Sequence, residues 1–299
     1  SSMEAGQPVV PEVGAFLLGS PKAGTTWLAD ALSQHPDICV SDPKEPNIVA
    51  THKGTFSRDA SPPNWEAYAD CFVEKGVRID CSVHALACPI APQRVRENWP
   101  GAKLIISLRE PVSRTISHWN MAISTEEDKE NNLDWSDFEV AWSDSRLQCD
   151  TLYGSAISRW LEFFDLDSIL IIEAKRMREE PAIVLKKICE HIGVDDYSFR
   201  LDLVRNTNTA SDRRPLTLFG RLFRSLANLL PDLVKRPVVK RLQKKGVNIY
   251  KMPVLSGKAL EKRKITDEQR SILAETVNED LLLLEELTGF SNPDWWIQS

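Results

Sequence analysis

A chain of 299 residues with 42% hydrophobic and 27% charged side chains has ample material for a folded core. Its sequence holds no apolar run approaching the ~20 residues that a membrane span needs. A formal charge of −6 excludes a general nucleic-acid binder and directs the search for anion sites to local clusters. Length permits two domains, yet an α/β chain of this size commonly builds one sheet, so one domain over 14–299 is expected. Residues 1–13, polar and carrying Pro8 and Pro11, read as a disordered N-terminal segment or an expression remnant.

The stretch Ala15-Phe16-Leu17-Leu18 is an apolar run that turns through Gly19-Ser20-Pro21-Lys22-Ala23-Gly24. It continues with Trp27, Leu28, Ala31 and Leu32 at helical spacing. Strand, glycine turn and helix are expected, with backbone N–H groups and the positive end of the helix facing an anion. Gly19 and Gly24 have the spacing of the P-loop G-x-x-x-x-G-K-[ST], and Thr26 stands at its hydroxyl position. Thr25, however, replaces the lysine and the loop's lysine is Lys22, which disfavours an ordinary ATP or GTP site. The plain alternative is a turn that only joins strand to helix.

Ile38-Cys39-Val40 reads as a second strand leading to Pro43-Lys44-Glu45-Pro46. By composition this is a solvated turn, but a strand parallel to the first would deliver it to the same carboxyl edge. Residues 51–63 read as a loop, and 64–71 as a weak helix. Residues 77–82 read as a third strand, with His84 just beyond it as a hydrogen-bond donor or a base, or as an ordinary structural histidine. After a helix over 89–98, Leu104-Ile105-Ile106-Ser107-Leu108 is a clear buried strand that runs into Arg109-Glu110-Pro111. Arg109 and Ser117 offer a guanidinium fork and a hydroxyl suited to a terminal phosphate; a surface ion pair and a helix-face serine are the alternatives.

Residues 126–132 read as a solvated charge run and 133–142 as a short helix. A helix over 153–164 with Trp160, Leu161 and Phe164 in the core is expected, then a strand over 168–173. A helix through Ile192 should stop at Gly193. Residues 216–245 combine leucines with lysines and arginines, which suits a membrane-surface helix, a lid or a packed helix with a wet face. Thr266-Asp267-Glu268-Gln269 is a capping-box start for one closing helix that ends near Gly289. The six cysteines include no C-x-x-C pair and read as reduced thiols in a cytoplasmic protein.

Three of these stretches together resemble sulfotransferases that use 3′-phosphoadenosine 5′-phosphosulfate (PAPS). Pro21-Lys22-Ala23-Gly24-Thr25-Thr26-Trp27-Leu28 is similar to their phosphosulfate loop, and Pro43-Lys44-Glu45-Pro46 to the P-x-K-E-P element of glycan-type members. L-R-E-P-V-x-R-x-x-S-H-W, carrying Arg109 and Ser117, is similar to the element that grips the nucleotide's 3′-phosphate. The resemblance runs from about residue 14 to Trp296 and implies a P-loop-like three-layer α/β/α fold around a parallel sheet. It implies PAPS as donor, no metal, and a hydroxyl or amine of a carbohydrate or small natural product as acceptor. Glu45 is then the base and Lys22 the stabiliser of the leaving phosphate. Lys22, Ala23, Gly24, Thr25, Thr26, Trp27, Arg109 and Ser117 become nucleotide ligands, with Arg213 and Arg214 in a closing basic loop. The chain departs from the pattern at Asp80-Cys81-Ser82-Val83-His84-Ala85, where glycan-type members have Glu-Lys-[Ser/Thr]-Pro-x-Tyr. An ATP-dependent kinase and a non-catalytic nucleotide-binding protein are the competing expectations.

Overall fold

Side chains of β1, Ala15–Gly19, alternate between two apolar layers: Phe16 and Leu18 enter one, Ala15 and Leu17 the other. A strand buried on both faces belongs inside a parallel sheet covered by helices on each side. The computed structural model shows that arrangement, with five parallel strands in the order β2-β3-β1-β4-β5. The other strands are β2, Ile38–Val40, β3, Val77–Asp80, β4, Lys103–Leu108, and β5, Ile169–Glu173. Helix α1, Thr25–Leu32, and the helix Pro181–Ile192 pack Leu28, Leu32, Leu185 and Ile188 on one face. Helices Ala91–Asn98, Tyr153–Leu161 and Ala274–Thr288 pack Val95, Ile157, Trp160 and Leu284 on the other. The expected three-layer α/β/α fold is therefore the one observed.

The structure describes residues 9–204 and 261–298; Arg213, Arg214 and the 216–245 segment lie outside the described residues. Two compact units are distinguished. The first holds the chain to Thr115, from Trp142 to the end of the first described stretch, and from Thr266 onward; the second holds Ile116–Ala141 and the described residues before Thr266. The whole sheet lies in the first. Its strand order reverses between β3-β1 and β1-β4, and parallel strands end at one edge, so the loops after β1, β2, β3 and β4 share that edge.

Local signals mark several element ends. Gly193, in the left-handed region at φ 79°, stops the helix Pro181–Ile192 as expected. Helix Pro111–Ser124 starts where the Glu110 carboxylate accepts the N–H groups of Val112 at 3.1 Å and Ser113 at 2.7 Å. The capping box forms, with Gln269 N–H donating to Thr266 Oγ1 at 3.1 Å and Thr266 N–H to Gln269 Oε1 at 3.1 Å.

Three expectations are corrected. The closing helix is two helices, Asp267–Ile272 and Ala274–Thr288, joined at the fully buried Leu273. Residues 126–132 are not merely a solvated run. Glu127–Glu130 is helical, and the buried Asp128 carboxylate accepts from the N–H of buried Trp135 at 2.9 Å, a donor that would otherwise be orphaned. Packing also begins ahead of residue 14, because Val13 is buried and the Pro11 carbonyl accepts from Trp99 Nε1 at 2.8 Å.

A link across the far end of the chain had no signature in the sequence. The buried Asp280 carboxylate accepts from Gly154 N–H at 2.7 Å, Ser155 N–H at 2.8 Å and the Ser155 hydroxyl at 2.7 Å. It thereby caps the start of the helix Tyr153–Leu161. Among the described residues, no helix is long and apolar enough to cross a membrane.

Candidate active site

The loop after β1 is shaped by where its carbonyls go. Arg114 Nη1 donates to the Pro21 carbonyl at 3.3 Å, Arg109 Nη1 to that of Lys22 at 3.2 Å, and Ser107 Oγ to that of Ala23 at 2.6 Å. Ser20 N–H adds a bond to the Ser107 carbonyl at 2.8 Å. With three successive carbonyls held by β4 and the residues after it, the amides that follow are left to open α1. Gly24 is the N-cap of that helix at φ 78° and, being glycine, offers it no side-chain cap. A Cβ on Gly24 would come within 2.5 Å of Met177 Cε, so both conformation and space favour glycine. Thr25 is buried, Thr26 exposed and Trp27 half-buried. A first turn whose N-cap offers no side chain fits an anionic group at its dipole end.

Arg109 is half-buried, and among the described residues no carboxylate pairs with it. Burial, and then the neighbouring Arg178 guanidinium, hold its pKa below the ordinary value. The Tyr153 hydroxyl donates to the Arg109 carbonyl at 2.7 Å and also bonds Ser20, so one buried phenol ties the loop to the end of β4. Ser117 is half-buried on the helix Pro111–Ser124, in the part assigned to the second unit.

The turn after β2 is fastened to the exit of β3. The Ser41 hydroxyl donates to the Lys44 carbonyl at 2.7 Å and accepts from Cys81 N–H at 3.2 Å, while Asn47 N–H donates to Ser82 Oγ at 3.0 Å. Glu45 and Lys44 are thereby held at the edge, with Lys44 Nζ 3.0 Å from Glu45 Oε1 and 3.4 Å from Thr25 Oγ1. Arg109 and the Lys44–Glu45 pair, far apart in sequence, are therefore linked through the one loop that carries Lys22 and Thr25.

The family model described as the sulfotransferase domain matches residues 14–211. The chain belongs to that family. Its relatives include mouse heparan sulfate glucosamine 3-O-sulfotransferase 3A1, 25% identical over 64% of this chain and 48% of that protein. Another is the human bifunctional heparan sulfate N-deacetylase/N-sulfotransferase 3, 30% identical over 60% of this chain and 22% of that protein. The chain thus spans about half the length of the first and under a quarter of the second. A solved sulfotransferase from Alicyclobacillus acidocaldarius superposes with a TM-score of 0.59 at 19% identity, over 96% of this chain and 99% of that one, which supports the shared fold.

In this member of the sulfotransferase-domain family His84 is buried, with Nδ1 3.3 Å from Asp150 Oδ2. Burial alone lowers its pKa, but the charge of Asp150 and its hydrogen bond outweigh that, and the imidazole titrates above its ordinary value. Nearby His52 goes the other way, down to about 4, through burial first and then Arg58, with His84 and Arg159 adding to the fall and Asp150 opposing it. Between 6.5 and about 4 the unfolded chain binds this proton more readily than the folded one, so His52's contribution to stability is lost as pH falls through that window. The contribution of His84 has the opposite sign, being lost as pH rises through its elevated pKa. The acid-induced fall in Tm between pH 7 and 4.5 is expected to shrink by about 2–4 °C in His52→Gln, corresponding to ~1 kcal/mol after solvent screening. Calorimetric melts at both pH values check this, and an identical fall in both proteins removes His52 as an acid-sensitive point.

Sequence alone assigns no individual role to Lys44, Arg114, Tyr153, Asp150 or Asp280. Three of them have a local cue: Lys44 stands beside Glu45 between two prolines, Arg114 is the second arginine of the L-R-E-P-V-x-R-x-x-S-H-W element, and Tyr153 opens the helix expected over 153–164.

Proposed function

We propose that this chain moves a sulfuryl group from PAPS to a hydroxyl or amine of a carbohydrate or small natural-product acceptor. The observation that carries the reading is the Arg109 guanidinium on the carbonyl of Lys22 at 3.2 Å. It puts a half-buried cation, with no carboxylate partner among the described residues, beside the start of α1, whose N-cap glycine offers no side-chain cap, as a nucleotide with phosphate-type groups at both 5′ and 3′ positions requires. Relatives named for heparan sulfate favour a carbohydrate among the possible acceptors. Six free thiols support a reducing, cytoplasmic setting.

The donor supplies an activated sulfur–oxygen bond whose cleavage leaves adenosine 3′,5′-bisphosphate. Glu45 takes the proton of the attacking acceptor group, with His84 as the alternative base. Lys22 and the amides of Gly24, Thr25 and Thr26 offset the charge that grows on the leaving phosphate. They thereby supply the stabilisation that a metal gives in phosphoryl transfer. Ala23 and Trp27 complete the loop's contact with the nucleotide, and Arg109 binds the 3′-phosphate. Ser117, Arg213 and Arg214 are retained as further 3′-phosphate ligands on the sequence resemblance alone.

Titration calorimetry with adenosine 3′,5′-bisphosphate tests the reading. The wild-type chain is expected to bind it, and Arg109→Ala to bind it more weakly by about 1.5–3 kcal/mol, roughly 10- to 150-fold. Unchanged affinity in the variant removes the 3′-phosphate assignment. Magnesium-dependent turnover of ATP, lost on chelation, would replace the sulfuryl reading by the kinase one.

A further inference from the structure

Neighbouring side chains in an extended chain point apart, yet those of Lys44 and Glu45 converge. They do so in a turn set between Pro43 and Pro46, followed by Asn47 at φ 51°, and stitched to the exit of β3 through Ser41 and Asn47. The result is one ammonium that reaches the carboxylate on the acceptor side and, 3.4 Å away, the hydroxyl of Thr25 in the first turn of α1. Both side chains are partly shielded, at 23% exposure for Lys44 and 33% for Glu45, where a charge is screened less than on open surface. Strand β3 supplies no cation at this point: it exits through Cys81, a buried thiol pushed up to about 12 by burial despite the charge of Lys44 nearby.

Resting on the sulfotransferase reading above, we infer that Lys44 binds the sulfonate end of the donor and so distinguishes PAPS from its product, adenosine 3′,5′-bisphosphate. Lys22 lies in the loop itself, and its carbonyl accepts from Arg109, which follows β4 on one side of β1 in the sheet. Lys44 follows β2 on the other side of β1 and bridges that loop, at Thr25, to Glu45. In the free protein its ammonium is held by Glu45; with donor bound, the sulfonate oxygens take over part of that contact and free the carboxylate to meet the acceptor's proton. The product has no sulfonate, so this contact is lost on transfer and release is favoured.

The comparison of the two nucleotides in one variant makes the test independent of the acceptor. Lys44→Met is expected to bind PAPS about tenfold more weakly by calorimetry while its affinity for adenosine 3′,5′-bisphosphate stays within about twofold of wild type. Retained product binding also shows that the variant is folded. Equal weakening of both nucleotides in a variant that melts like wild type overturns the inference and makes Lys44 a prop for Thr25 and the loop. No change in either makes it a solvated ion pair and overturns it as well. If Lys44→Met loses its cooperative melt, Lys44→Gln is read by the same criteria. Failure of the underlying reading looks different, because the wild-type chain then binds neither nucleotide.

Discussion

Lys22→Ala is expected to reduce sulfuryl transfer by about 10²–10³-fold, the scale on which one preorganised charge-stabilising group acts at a developing oxyanion. The side chain sits in a loop whose backbone is settled by other residues. Lys22 is in the left-handed region at φ 69°, its carbonyl is tied to Arg109, and its neighbours' carbonyls go to Arg114 and Ser107. Truncation beyond Cβ therefore removes the charge while the bonds that shape the loop remain. Transfer of label from sulfur-labelled PAPS to an acceptor, measured alongside a thermal melt, separates loss of chemistry from loss of fold. Turnover within a few-fold of wild type would falsify the role given to Lys22 and move the search to Lys44.

Glu45→Gln is expected to cost about 10²–10⁴-fold in turnover, the usual contribution of a positioned base, with little change in affinity for adenosine 3′,5′-bisphosphate. Glutamine keeps the shape of the side chain and a carbonyl oxygen for Lys44, so the turn pinned by Ser41 and Asn47 stays in place. The rival base, His84, is buried and engaged with Asp150 at 3.3 Å. A proton taken by His84 would sit against a buried carboxylate, whereas Glu45 stands partly exposed at the edge. Normal turnover in Glu45→Gln, combined with its loss in His84→Gln, reverses the assignment.

Much of the fold was legible because its causes are local. The apolar run from Ala15 to Leu18, the stop at Gly193 and the Thr266–Gln269 box are set by residues within a few positions of one another, and each appears as expected. The candidate site was legible in parts for the same reason. The loop around Lys22 and the strand end at Arg109 carry short motifs, although nothing in either motif says that the guanidinium rests on the Lys22 carbonyl. The closing helix was misread as continuous because its periodicity persists across Leu273. The charges at 126–132 were misread because composition does not show that Asp128 meets a buried amide.

From the order of residues alone came the elements and the α/β class, since backbone preference and side-chain periodicity act over a few residues, while the expectation of sulfuryl transfer came from the resemblance of three short motifs. Only the folded chain decided the strand order, the cap that Asp280 places on a helix more than a hundred residues away, and the meeting of Lys44 with Thr25 and Glu45. Such contacts form where the packed fold brings polar groups together, buried as at Asp280 or at the sheet edge as at Lys44. The nearest available partner there is a neighbour in space, which the sequence does not reveal.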